Sequence, residues 1–252
     1  MNGNLVVIGL NHRTAPVELR ERLCFRATET FNPCLGFMQL PGIREGVLLS
    51  TCNRTEMFAV VDELPQGIEQ MIQYFARCNG IARGDFEHTL YVFTDEEAVR
   101  HLFRLASSLD SMIVGEPQIT GQVKDAYRRA VEYRTTGMVL NHLFHKAFTT
   151  AKRVRTETGI SANAVSISFA AVELAKKIFE NLSHRAVMIV GAGEMSELTA
   201  RHLVSCGVRT IYVANRSYDA AVCLAEKFCG TPIPFNEMIY TLNAVDIVIT
   251  ST

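Results

Sequence analysis

Ala186-Val187-Met188-Ile189-Val190-Gly191-Ala192-Gly193-Glu194-Met195-Ser196 runs from five apolar residues, through two closely spaced glycines, into a segment of helical character. The apolar run suits a strand buried on both faces of a parallel sheet. The helix that follows reaches Cys206-Gly207. A second strand over 210–214 ends at Asn215-Arg216-Ser217, and another helix covers 218–228. Strand, glycine turn, helix and strand in that order make a βαβ unit of the Rossmann type. Its glycines let backbone approach a pyrophosphate, and its helix start offers unpaired N–H groups. The glycine pattern alone is weak; the elements around it carry the assignment. The cofactor-binding candidates are Gly191, Ala192, Gly193, Glu194, Met195, Ser196, Asn215 and Arg216.

Two departures from the usual fingerprint carry information. Ser196 replaces the third glycine and adds a hydroxyl near the phosphates. The second strand ends without an acidic residue for an adenosine ribose, and Arg216 stands there instead. An arginine suits a 2′-phosphate, so NADPH is expected over NADH; the competing reading is an incidental surface arginine. A further strand over 246–250 brings Ser251-Thr252 to the sheet edge where cofactors bind. Too few strands are present for a complete doubly wound sheet, so a piece of a longer protein is expected.

The first half reads differently. A strand over 5–10 closes at Gly9-Leu10-Asn11-His12. Helical patterns follow at 17–23 and 31–40, with Pro33 limiting the second. Strands at 46–50 and 56–61, a helix at 66–78 and a short strand at 90–93 complete the order strand, helix, strand, strand, helix, strand. That is the split βαβ pattern of a ferredoxin-like α+β domain. Thr94 followed by Asp95-Glu96-Glu97 starts a helix carrying His101 and running to about 108. Residues 109–119 form a loop broken by Gly115 and Pro117. It mixes Asp110, Ser111, Glu116 and Gln118 with large apolar residues, among them Ile113, as a packed loop with its polar groups aimed at something would. Helices at 119–133 and 140–155 follow, and another carries Val165, Phe169, Val172 and Phe179. The expected division is a catalytic domain over 1–159 and a dinucleotide-binding domain over 160–252.

With 252 residues, 48% of them hydrophobic and 20% charged, the chain has ordinary globular composition and length for two domains. It has no apolar run of membrane-spanning length and no secretory-type start, so a cytoplasmic protein with no membrane partner is expected. Seven cysteines, without a CxxC pair, argue against a disulfide framework or zinc ribbon. His142 and His145 are three apart but lack a third ligand, so no metal site is expected. A net charge of −1 gives no global attraction for nucleic acid; the best local patch is Lys152-Arg153-Val154-Arg155, a run that more often is simply a solvated helix face.

Ser50-Thr51-Cys52-Asn53-Arg54-Thr55-Glu56 lies between two strands and holds more side-chain chemistry than a chain reversal needs. Read alone, Cys52 is as well explained by packing as by chemistry.

Taken together, Gly9-Leu10-Asn11-His12-Arg13-Thr14-Ala15-Pro16, residues 50–56, 110–122 and 151–158, and Gly191 to Ser196 with Asn215-Arg216 resemble glutamyl-tRNA reductase. The resemblance covers essentially the whole chain, and the 50–56 and 115–119 segments are its most specific parts. It implies that Cys52 attacks the aminoacyl ester of glutamyl-tRNA(Glu), forming a thioester that NADPH reduces to glutamate-1-semialdehyde, the first step of the five-carbon route to tetrapyrroles and haem. It further implies that His101 is catalytic, beside the reacting carbon. Thr51, Asn53, Arg54, Ser111, Glu116 and Gln118 would line the glutamate pocket, with Arg54 on the substrate carboxylate or favouring the thiolate. Hand-over to the downstream glutamate-1-semialdehyde aminomutase is also implied, and a homodimer for the full-length protein, whose family continues into a helical dimerisation domain that this sequence does not include. Because thiol and hydride donor fall in different domains, a hinge near residue 159 is expected. The scheme makes chemical sense: a thioester accepts hydride more readily than an ester, and an ordinary thiol with a pKa of about 8.5 needs help to ionise at neutral pH. Two alternatives stand beside it: a thiol-dependent dehydrogenase acting on a free aldehyde or acyl phosphate, and a non-catalytic nucleotide-sensing or partner-binding module.

Overall fold

A computed structural model describes residues 3–28, 31–112, 114–161 and 167–251; Ile113, Val165 and Thr252, on which the sequence reading also drew, lie outside them. The chain divides into two compact units, residues 1–164 and 165–252.

In the first unit β1 (Asn4–Asn11) leads through α1 (Val17–Arg22) and α2 (Pro33–Met38) to the hairpin of β2 (Ile43–Ser50) and β3 (Arg54–Val61). Then come α3 (Leu64–Asn79), β4 (Tyr91–Thr94), α4 (Asp95–Ala106), α5 (Pro117–Glu132) and α6 (Met138–Glu157). The sheet order is β2-β3-β1-β4, with every neighbouring pair antiparallel. This is the ferredoxin-like order that the split βαβ pattern predicts.

The periodicity did not anticipate that both faces of this sheet are covered. Val6, Ile8, Leu10, Leu48, Met57, Ala59 and Val61 pack against α1, α2 and α3 through residues such as Leu23, Phe37 and Met71. Their alternates Leu5, Val7, Val47, Leu49, Phe58 and Val60 pack against Leu102, Val123, Leu140 and Phe144 of α4, α5 and α6. Every residue of β3 is consequently buried. Polar side chains on that strand therefore need partners inside the protein.

α5 begins at Pro117 rather than at the expected Ile119. Proline serves well as the first helical residue because its missing N–H would have no intrahelical partner there. α6 has Gly137 at its N-cap, which has no side chain to cap with. Glu45 of β2 supplies the cap instead, its carboxylate accepting from the Val139 and Leu140 N–H groups at 3.1 and 2.7 Å. Glu45→Ala is expected to cost about 1–2 kcal/mol of stability, read as a lower urea midpoint at unchanged slope.

The second unit begins with α7 (Ile167–Phe179) and continues with β5 (Ala186–Val190), α8 (Glu194–Ser205), β6 (Thr210–Asn215), α9 (Tyr218–Lys227), β7 (Thr231–Pro234), α10 (Met238–Thr241) and β8 (Ile247–Thr250). Its four strands are parallel in the order β7-β6-β5-β8. Val187, Ile189, Ile211 and Val213 meet Ala200, Leu203, Ala221 and Leu224 in its core. β7 was not foreseen: Thr231-Pro232-Ile233-Pro234 has two prolines, which a sheet tolerates only at an edge, and β7 is an edge strand. Among the described residues no helix is long and apolar enough to cross a membrane.

Candidate active site

Residues 50–54 form the turn between β2 and β3. The Thr51 hydroxyl accepts from the Asn53 and Arg54 N–H groups at 3.2 and 3.1 Å, and Thr51 N–H donates to the Arg54 carbonyl at 2.8 Å. Arg20 of α1 holds the turn from outside, Nη1 donating to the Cys52 carbonyl at 2.7 Å and to Asn53 Oδ1 at 3.2 Å. The turn's backbone is thus pinned at several points while the Cys52 side chain stays exposed.

Strand alternation turns Arg54 and Glu56 to the face covered by α4, α5 and α6, the face that Phe58 and Val60 share. Arg54 is only 2% exposed. Its Nη1 donates to Glu56 Oε1 at 2.7 Å and to Asp110 Oδ2 at 3.1 Å, and Nη2 donates to the Asp110 carbonyl oxygen. Glu56 Oε1 also accepts from the Tyr91 hydroxyl and faces His101 Nε2 at 3.1 Å. On the central strand Gly9 lies opposite both Glu56 and Tyr91. A Cβ at Gly9 would come within 2.6 Å of the Thr55 carbonyl and 2.7 Å of Glu56 Cγ, so only glycine leaves room for the Glu56 side chain there.

Burial penalises the Glu56 carboxylate, but the charge and hydrogen bond of His101, joined by Arg54 and Tyr91, outweigh that and hold its pKa at about 2. Burial likewise disfavours the charged guanidinium of Arg54, and the Glu56 and Asp110 carboxylates overcome it and raise its pKa. Burial, with Glu56 beside it, keeps the Tyr91 hydroxyl protonated and donating. Glu56 Oε2 is buried and without a hydrogen-bond partner among the described residues. Such a group is a recurrent mark of a site that completes its bonding with something else.

The loop after α4 returns to this network. Ser108 Oγ donates to the Glu116 carbonyl at 2.6 Å, Gly115 N–H to the Ser108 carbonyl at 2.9 Å, and Thr120 Oγ1 to the Ala106 carbonyl at 2.9 Å. Thr51, Cys52, Asn53, Arg54, Ser111, Glu116 and Gln118 thereby line one narrow cleft of about 20 Å³. Burial pushes the Glu116 carboxyl up. His101 does not line this cleft. It lies behind Arg54, with Asp110, in the wall of a neighbouring cavity.

Sequence reading missed the partners that fix Arg54. Glu56 was legible as its i+2 neighbour on a strand. Asp110 and Tyr91 come from distant segments, and Arg20 carried no signal beyond its charge.

In the second unit, Gly191 has φ +117°, and a Cβ there would lie 2.0 Å from the Ser251 carbonyl oxygen. Gly193 is the N-cap of α8 and offers no side-chain cap, which leaves first-turn N–H groups for a ligand. Ser196 is fully buried with its Oγ unpartnered among the described residues, next to the glycine turn. Asn215 Nδ2 bonds the Ser217 carbonyl at 3.1 Å, and Arg216 is exposed at the end of β6. The backbone cradle, the orphaned hydroxyl and the exposed arginine fit a dinucleotide pyrophosphate. Glu194 and Met195 open α8 in the same turn.

The fold and the site define a class: a protein that carries a cysteine-bearing ferredoxin-like unit and a Rossmann-type unit with a glycine-turn cradle. The family described as glutamyl-tRNAGlu reductase, N-terminal domain, matches residues 8–158, and shikimate/quinate 5-dehydrogenase matches residues 173–252. The chain belongs to the glutamyl-tRNA reductase family. It is 49% identical over 249 residues to the glutamyl-tRNA reductase of Trichlorobacter lovleyi, covering 99% of this chain and 57% of that relative. It is 50% identical over 248 residues to that of Pelotomaculum thermopropionicum, covering 98% and 56%. The solved glutamyl-tRNA reductase from Methanopyrus kandleri is 39% identical, with a TM-score of 0.59 over 98% of this chain and 58% of that one. The chain thus spans rather more than half the length of its relatives. The match over 173–252 marks the second unit as a domain of the kind that takes a nicotinamide dinucleotide.

Proposed function

We propose that this chain carries out the NADPH-dependent reduction of glutamyl-tRNA(Glu) to glutamate-1-semialdehyde through a thioester on Cys52. The observation that carries the reading is the exposed Cys52 on a turn held by Arg20 and by Thr51, opening onto the cleft of Ser111, Glu116 and Gln118. The thiolate attacks the ester carbonyl, and collapse expels the ribose oxygen of the tRNA, which takes up a proton. The cleft holds about one water as it stands, so the glutamyl chain enters by displacing the exposed Met112 side chain. Glu116 accepts from the substrate's α-ammonium, while Thr51, Asn53, Ser111 and Gln118 offer hydrogen bonds to its carbonyl and carboxylate oxygens.

Arg54 has two carboxylates already, so its positive field is largely spent within the protein. Its part is to hold Asp110 and the loop in place, with its remaining donors turned to the substrate carboxylate. His101, anchored by Glu56 and set behind Arg54, acts on the site through that network, helping to hold Glu56 and Asp110 in place. When bound, NADPH supplies the hydride that reduces the thioester to the aldehyde, releasing the Cys52 thiolate. Residues 1–159 take the glutamyl group and residues 160–252 the cofactor. A cytoplasmic homodimer passing its aldehyde to an aminomutase completes the proposal.

The test is transfer of labelled glutamate to the protein from charged tRNA but not from free glutamate; without transfer the reading is abandoned. Cofactor choice rests on Arg216. Arg216→Ala is expected to weaken NADPH binding about tenfold or more and NADH binding little, measured by fluorescence titration.

A further inference from the structure

The motif over residues 9–16 meets the Cys52 turn at one edge of the first sheet. β1 ends at Asn11, opposite Arg54, the residue with which β3 begins. His12 therefore leaves the sheet where Cys52 and Asn53 lead into it. One guanidinium spans the two turns: Arg20 Nε donates to the Ala15 carbonyl at 3.2 Å, while Nη1 donates to the Cys52 carbonyl at 2.7 Å.

The turn after β1 is held without the His12 ring. The Thr14 and Ala15 N–H groups donate to the Asn11 carbonyl at 3.0 and 2.9 Å, Asn11 N–H to Thr14 Oγ1 at 3.0 Å, and Arg13 N–H to Asn11 Oδ1 at 2.9 Å. His12 Nδ1 is nevertheless buried without a hydrogen-bond partner among the described residues. It shares that state with Glu56 Oε2, beside Arg54, and Ser196 Oγ, at the glycine turn. A ring nitrogen withdrawn from water and left unpaired costs stability, which marks it as a group kept for another purpose. The charged groups that act on the ring are Arg13 on its own turn, Arg54 of β3, Asp110 of the loop after α4 and Arg20 of α1. Burial first, then the three arginines, lower its pKa against the opposing pull of Asp110. The imidazole is therefore neutral at pH 7 and has a nitrogen able to accept a proton.

We infer that His12 is the general base and acid of the acyl transfer: its imidazole takes the Cys52 thiol proton as sulfur attacks the ester carbon, and returns it to the ribose oxygen as the C–O bond breaks. This deepens the proposed acyl transfer to Cys52 and rests on it. One S–H and one C–O bond break, one S–C and one O–H bond form, and the imidazole ends neutral, as it began. An ordinary thiol needs such help at neutral pH. Arg54 is committed to Glu56 and Asp110, which leaves His12 as the group at this edge with a free proton acceptor.

The experiment uses the full-length protein from about pH 5 to 9, a range that covers histidine and thiol ionisation. Acylation of Cys52 by glutamyl-tRNA is followed by intact mass, and its alkylation by iodoacetamide by peptide mass. His12→Ala removes the ring, and His12→Gln keeps polar atoms in its place without a titrating base. The expected result is an acylation rate at pH 7 about a hundredfold lower in both variants, partly regained in His12→Ala on adding free imidazole. Wild-type acylation should reach its plateau below the ordinary histidine value of 6.5, whereas both variants keep climbing with pH as the thiol ionises unaided. Wild-type activity in His12→Gln would make the ring a spacer and overturn the inference. A loss of equal size at every pH, without rescue by imidazole, would also overturn it. Alkylation distinguishes this failure from that of the acyl-transfer reading. Wild-type protein that takes no glutamate from charged tRNA would remove that reading, while slower alkylation of Cys52 at pH 7 in both variants would still establish His12 as the base on the thiol; unchanged alkylation would overturn that as well.

Discussion

Cys52→Ser is expected to lower glutamyl-enzyme formation from charged tRNA by roughly a thousandfold or more while leaving NADPH binding intact. The turn should survive the change, because its geometry depends on Thr51 and Arg20 and the Cys52 side chain is exposed. A serine hydroxyl is far less ionised than a thiol at neutral pH and is the weaker nucleophile, so the same turn activates it much less. Intact-mass measurement after mixing with glutamyl-tRNA, beside a fluorescence titration with NADPH, separates the two activities. Persistent acylation at wild-type rate in the serine variant would place the nucleophile elsewhere.

The second large effect concerns stability. Glu56→Ala is expected to destabilise the first unit by about 3–5 kcal/mol, because it leaves the Arg54 guanidinium buried with half its carboxylate partners, strips the Tyr91 hydroxyl of its acceptor and leaves His101 with Asp110 alone. Glu56→Gln keeps the shape and part of the hydrogen bonding and should cost less. The pH dependence follows from the depressed carboxyl. With its folded pKa at about 2 against an ordinary 4.5, Glu56 contributes stability that is fully present above about pH 4.5. That contribution is lost as pH falls toward 2. Urea titrations between pH 6 and 2 should show the gap between wild type and Glu56→Gln closing over that window; a constant gap would mean that Glu56 carries no charge in the folded protein.

Much of the fold was legible because its signals are local. The apolar run at 186–190, the glycines after it and the helical spacing of Leu140, Leu143, Phe144 and Ala147 each need only a short window. β7 was not legible, since two prolines in four residues argue against a strand unless it is known to lie at an edge. The start of α5 was misplaced by two residues for a related reason: Pro117 reads as a breaker, and only the chain direction beyond it shows it to be the first residue of the helix.

The candidate site divides along the same line. Cys52, its place in a turn between two strands, and the dinucleotide cradle follow from residue types and spacing alone. The commitment of Arg54 to Glu56 and Asp110 does not, because Asp110 lies 56 positions away and Tyr91 reaches Glu56 only across Gly9 on the central strand. Nor does the neighbouring cavity, whose members come from β4, α4 and the loop after β1. Short-range periodicity and turn chemistry determined which elements form and where the thiol sits. The burial of a charge, and the partners it then requires, were decided only when both faces of the sheet were covered, because desolvation depends on every segment packed against a residue and not on its neighbours in the chain.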